Sequence, residues 1–223
     1  MADYGVLLAN TSGEVWVSPS SIPLALFAKR TGSLPSNSGG SSTVSVNYDP
    51  TRPIIPFVYT TGECAISWSA SGGVCSVTFS RSSSGVYEVY FFTIFQQTPP
   101  AYGIAIWDEQ GVCILTNETK TLTDMNKLGD PNSATASGIY INQVLLGKWG
   151  CVPDSFGAIT GIINTGGMPR PFASEYKALA KGEGGNTRCY AYPILGTGGG
   201  GLTNTVYHNL RNQMMVTRLD VYD

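Results

Sequence analysis

Charge is scarce in this sequence. Asp, Glu, Lys and Arg make up 13% of 223 residues, with 13 basic against 15 acidic side chains and a net charge of −2, where soluble domains usually carry about 25% charged residues. Nucleic-acid binders gather Lys and Arg on one face or in a run. Here the closest cluster is Lys29-Arg30, which excludes an electrostatic footprint for DNA or RNA. Histidine is scarcer still, with His208 alone. The five cysteines, Cys64, Cys75, Cys113, Cys151 and Cys189, form no Cys-x-x-Cys pair, so the ligand spacing of a structural zinc site is missing. An odd count of cysteines points to free, buried thiols. No apolar run approaches the roughly 20 residues a helix needs to cross a bilayer. Met1-Ala2-Asp3-Tyr4 has neither the basic nor the apolar stretch of a secretory signal. The expectation is a protein made in a host cytoplasm that leaves it only as part of a particle.

Small polar residues and aromatics fill the space that charge leaves. Aromatics reach 11% and apolar residues 42%, alongside 27 glycines, too much apolar surface for a disordered chain. Strand signals dominate. Apolar β-type segments run from Ile22 to Thr31, Thr43 to Tyr48, Ile54 to Tyr59 and Val86 to Phe95. The prolines around Ile54 to Tyr59 suggest an edge strand. Glu63 to Ser69 and Val74 to Phe79 alternate with period two around Ala70-Ser71-Gly72-Gly73. Pairing Ser69 with Val74 gathers Cys64, Ile66, Trp68, Cys75, Val77 and Phe79 on one face, and sets Cys64 away from Cys75, against a disulfide. Later strands are expected at Gly138 to Leu146, Phe156 to Ile163, Thr187 to Ile194 and Met214 to Tyr222. Ser174 to Gly182 has a capping serine, helix formers and a terminal glycine, and predicts the one short helix.

The opening hairpin recurs. Tyr4 to Val17 aligns without a gap on Tyr102 to Leu115: Tyr-Gly repeats, Asn10 matches Asp108, and Gly13 matches Gly111, where the turn requires positive φ. This reads as an internal duplication. If Leu8 pairs with Val15 and Val6 with Val17, these four share one face, with Trp16 on the other. Trp107 lies on the corresponding second face of its own hairpin. Hairpins apolar on both faces need covering twice, by a second layer or by another subunit. Trp16, Trp107, Tyr4 and Tyr102 are therefore the candidate interface residues. Trp149, Tyr87, Tyr90, Tyr140, Tyr190 and Tyr192 add to a supply of aromatics beyond one small core.

The two Tyr-Gly hairpins, with Val86-Tyr87-Glu88-Val89-Tyr90-Phe91-Phe92 and Pro99-Pro100 between them, resemble an uncharacterised family of minor tail proteins of tailed bacteriophages. The likeness covers about residues 1 to 125. The chain departs from the family after Leu115, where Thr116-Asn117-Glu118 stands in place of an Asp-Ser step. The resemblance implies a virion component near the tail tip or its fibres and brings no catalytic residues.

Enzymatic signals are weak. Gly196 to Gly201 fits G-x-G-x-x-G, but β-like residues follow where a dinucleotide site needs a helix. A lone His208 beside Tyr207 and Asn209 reads as a surface residue before it reads as a base. Asp108-Glu109, Asp124 and Asp154 are the carboxylates weighed for glycan cleavage, and turn chemistry accounts for the first pair. Asn10-Thr11-Ser12 and Asn117-Glu118-Thr119 fit glycosylation acceptors, but read as turns.

The expected architecture is all-β: two sandwich-like modules, 1–100 and a loop-rich 101–223, each led by a Tyr-Gly hairpin. The expected role is a non-enzymatic virion protein of the tail, without cofactor or metal. Its expected partners are other tail proteins and its own copies, as a trimer or hexamer, with contact to a host glycan or receptor. A carbohydrate-binding or glycan-cleaving module and a head decoration or head fibre protein are the alternatives.

Overall fold

The computed structural model describes residues 8–9, 15–17, 22–35, 39–133, 136–165, 167–196 and 201–223. The chain is nearly all β and sandwich-like. In chain order the strands are β1 (Leu8–Ala9), β2 (Val15–Val17), β3 (Ala25–Ser33), β4 (Ser41–Asn47), β5 (Ile54–Thr60), β6 (Ala65–Ser71), β7 (Val74–Ser80) and β8 (Val86–Thr93). There follow β9 (Ala105–Trp107), β10 (Cys113–Thr116), β11 (Asn126–Leu128), β12 (Asn142–Leu146) and β13 (Trp149–Cys151). The last are β14 (Ser155–Thr165), β15 (Met168–Glu183), β16 (Asn186–Pro193), β17 (Leu202–Asn209) and β18 (Met214–Arg218). Short 3₁₀ turns span Ala136–Gly138 and Asp220–Tyr222.

One eleven-stranded sheet takes β3, β5 and β8 together with β11 to β18. Strands from both sides of residue 100 thus share it. A three-stranded sheet, β4-β7-β6, packs over β5 and β8 through Val46, Ile66, Cys75, Val77 and Phe79 on one side, and Val58, Val89 and Phe91 on the other. The alternation of a strand places successive side chains on opposite faces, so Tyr90 and Phe92 of β8 point the other way. There they meet Phe57, Leu219 and Tyr222. Phe92 packs edge-on against both Phe57 (5.7 Å) and Tyr222 (4.9 Å). A third cluster joins Ala178, Ala180, Cys189, Met214 and Val216 to Ile139, Ile141 and Phe156. Each fully buried side chain of this size contributes about 1.5–3 kcal/mol.

Several expectations are corrected. Ser174 to Gly182 is no helix but the C-terminal part of β15, hydrogen-bonded to β14 over its first half and to β16 over its second. Ser174, Tyr176, Ala178 and Ala180 are buried in turn, so strand periodicity from two neighbours overrides local helix propensity. β5 is interior, with β8 on one edge and β13 and β15 on the other. Its Pro56 is tolerated because the second edge is paired only at Val58 and Thr60. The β6–β7 hairpin closes through two residues rather than four. Gly72 and Gly73 adopt φ of 59° and 79°, the conformation of a type I′ turn. Ser71 therefore faces Val74 and Trp68 faces Val77, a slip of two residues that leaves every side chain on its expected face. The closing strand stops at Arg218, and Leu219 and Tyr222 turn into the core. Tyr87, Tyr90 and Tyr190, read as surplus to the core, are buried in it.

Candidate functional site

The described residues of the first hairpin pair as their equivalents in the second do. In the first, Leu8 pairs with Val17 and Ala9 with Val15; in the second, Ile106 pairs with Leu115 and Trp107 with Cys113. These are the residues that the gapless alignment makes equivalent, and the bulge falls at the same place in both. The register differs from the expected Leu8–Val15 pairing: Val15 meets Ala9, one residue closer to the loop, and a bulge with Trp16, or Ile114 in the second hairpin, as the extra residue then sets Leu8 against Val17. In the second hairpin Asp108 organises the loop. Its Oδ1 accepts the amides of Gln110 (3.0 Å) and Val112 (2.8 Å), and Gly111 takes a φ of 76°. This confirms the turn reading of Asp108.

β10 anchors this hairpin, with Cys113, Ile114 and Leu115 buried and the Gln97 amide donating to the Cys113 carbonyl at 2.8 Å. The opposite arm, from the bend at Tyr102 to the end of β9, is more open to solvent. Tyr102 is 92% exposed, Ile104 69% and Trp107 52%. Asn117 fixes the start of this strand, accepting the Ile104 amide through Oδ1. Of the four interface candidates, Trp107 ends β9 and Tyr102 lies in the bend before it; Ile104, which the sequence reading did not name, stands between them, and all three are exposed. Tyr4 lies outside the described residues, and Trp16 is placed only by its backbone in β2.

The loop end of the same hairpin lines a cleft of about 280 Å³ against β3 and the residues that follow β8. Phe27 and Phe95 meet edge-on in its wall at 5.2 Å, with Tyr48 beside them. Asp108, Asp49 and Arg52 supply its polar groups. Asp49 heads a turn, its Oδ1 accepting the Thr51 amide (2.9 Å) and hydroxyl (2.7 Å), and these bonds hold its carboxyl below the usual range. Only Asp108 of this group was weighed from sequence. Asp49-Pro50-Thr51 carries the Asp-x-Thr signature of a side-chain-capped turn, the signal that could have found it.

A second polar cluster brings Lys29, Glu88, Tyr90, Lys148 and Asp223 together across β3, β8, the loop before β13 and the residues after β18. Lys29 Nζ lies 2.9 Å from Glu88 and 2.5 Å from Asp223; Lys148 Nζ lies 2.8 Å from each. The Tyr90 hydroxyl approaches both carboxylates, and both ammonium groups also face its ring, at 5.0 and 5.6 Å. Burial opposes the charged carboxylates. Hydrogen bonds from Lys148, Lys29 and Tyr90 more than offset it, and hold Glu88 and Asp223 below their usual values. Burial and the same two carboxylates push the Tyr90 phenol well up. With every charge matched, the cluster acts as a clasp for the end of β18. Nothing local in sequence announces it, since its members are far apart along the chain.

The remaining candidates stay apart. His208 sits on β17 with Nε2 3.3 Å from the Thr160 hydroxyl. Asp124 and Asp154 are exposed and line neither the cleft nor the clasp. Residues 197–200 of the glycine-rich run lie outside the described residues, and β17 follows it where a dinucleotide site would place a helix. All five cysteines are buried and unpaired. Among the described residues no three His, Cys, Asp or Glu side chains gather to hold a metal, and no helix is long and apolar enough to cross a membrane. Compared with protein-family models, curated proteins and solved structures, the chain matches none.

Proposed function

We propose that this chain is a non-enzymatic structural component of a bacteriophage virion, in the tail tip or fibre attachment region, and that it acts by assembly. The observation that carries this reading is the second hairpin. One strand, β10, is locked into the core, while the opposite arm, the bend at Tyr102 and the short strand β9 that follows it, leaves Tyr102, Ile104 and Trp107 exposed to solvent. Exposed aromatic side chains beside an anchored hairpin are the kind that serve as anchors of protein interfaces. The hairpin is duplicated in sequence and register, as befits a docking element used twice. The resemblance of residues 1 to 125 to minor tail proteins supplies the setting.

Two measurements test it. Light scattering on the purified chain is expected to find a trimer or hexamer that Ile104→Asp and Trp107→Ala dissociate. A monomer indifferent to both substitutions overturns self-assembly through this strand. Immunogold labelling of particles that encode the chain is expected at the tail tip. Label on the head would move the protein to decoration, and unlabelled particles would overturn the virion reading.

A further inference from the structure

We infer that the cleft between β3, the residues after β8 and the loop of the second hairpin is a binding site for a neutral pyranose sugar. Its volume of about 280 Å³ sits at the small end of ligand sites, which start at roughly 300 Å³. That size takes one sugar ring or two and leaves no room for a polymer segment in full. Phe27 and Phe95 offer apolar ring surface at the wall, with Phe27 36% exposed. A pyranose has a face of C–H bonds that packs on such a surface, and a rim of hydroxyls that both donate and accept.

The polar groups of the cleft match that rim. Asp49 and Asp108 each commit Oδ1 to two donors of their own turn. Among the described residues, their Oδ2 atoms accept no hydrogen bond, and the Arg52 guanidinium makes neither a hydrogen bond nor an ion pair. The two carboxylates are held in place by their turns before any ligand arrives, which lowers the ordering cost of binding. Carboxylates only accept and a guanidinium only donates, so together they satisfy hydroxyls in both roles. The charges also select the ligand. A ligand that presents both donors and acceptors, as a neutral sugar does, meets all three groups at once, whereas an ion pairs with only one sign of them. This site is independent of the exposed strand used for assembly: Trp107 does not line it.

The test uses saturation-transfer NMR and calorimetry on the full chain. The probes are methyl glucopyranoside, methyl galactopyranoside and N-acetylglucosamine, with adenosine as a non-sugar control. At least one sugar is expected to bind with a dissociation constant on the order of 1 mM, as suits so few ligand atoms. Saturation should concentrate on the protons of one ring face. Arg52→Ala is expected to weaken binding about tenfold through its lost charged hydrogen bonds, and Phe95→Ala to abolish it. Trp107→Ala should leave it unchanged, which separates this result from the assembly test. Arg52 is exposed, so its variant keeps the test decisive even where Phe95→Ala misfolds. The inference fails if none of the three sugars binds, if adenosine binds in their place, or if sugar binding survives Arg52→Ala at full strength.

Discussion

The Tyr90 hydroxyl lies 2.5 Å from Asp223 Oδ1, across 133 positions of sequence. Glu88, Lys29 and Lys148 complete the contact. The residues just before Asp223, Leu219 and Tyr222, fill the core over Phe57 and Phe92. The clasp therefore decides whether that cover stays closed.

Its pH dependence follows from the two carboxyls. Glu88 and Asp223 are both held below their unfolded values, so their contribution to stability is complete above the unfolded carboxyl range, about pH 4–4.5. It is lost as the pH falls from there towards their folded values. Thermal unfolding followed by circular dichroism is expected to show a melting temperature that drops between about pH 5 and pH 3. Glu88→Gln should lower the melting temperature at neutral pH and flatten that drop. An unchanged acid slope in the variant would assign the loss to other carboxylates.

The two-faced burial of β8 makes it the most sensitive strand. Phe91 and Phe92 are fully buried in different clusters. Phe91→Ala and Phe92→Ala are each expected to cost about 3–5 kcal/mol, read from the denaturant midpoint. A cost under about 1 kcal/mol, typical of surface positions, would mean that the covering layer on that face is not closed.

The β6–β7 turn offers a backbone test. Gly73 has a φ of 79°, and a Cβ there would meet the Tyr48 carbonyl at 3.2 Å. Gly73→Ala is expected to destabilise the fold by about 1–2 kcal/mol. Gly72 has open space around its Cβ position and a φ of 59°, so Gly72→Asn should be close to neutral, since asparagine tolerates this conformation. A Gly73→Ala variant as stable as the parent would overturn the positive φ at this turn position.

The cysteines are expected to be inert. Burial pushes the Cys64 and Cys189 thiols up to about 12 and Cys75 to about 11, and also raises Cys151 well above the usual thiol value. Thiolate is the reactive form. Labelling with a chromogenic disulfide at neutral pH should therefore proceed only at the rate of unfolding, and reach five equivalents in denaturant. Rapid reaction of any thiol in the folded chain would contradict its placement in the core.

Much of this protein was legible before its structure. Period-two alternation located most strands, because the side-chain period of a strand is fixed by its backbone. The internal repeat foretold that the second hairpin would copy the first, and the described pairs of the first, Leu8 with Val17 and Ala9 with Val15, match those of the second. The faces of the β6–β7 hairpin survived a slip of two residues for the same reason: an even slip keeps each side chain on its side. What local sequence could not decide is what each face meets. Ser174 to Gly182 has the composition of a helix and becomes a strand because β14 and β16 flank it. Tyr90 counts among the aromatics beyond one small core until the residues after β18 close over it. The cleft and the clasp both join side chains from distant segments. Their geometry depends on strand order and on which sheet edge each loop reaches, and that order is set by long-range pairing rather than by any pattern within a dozen residues.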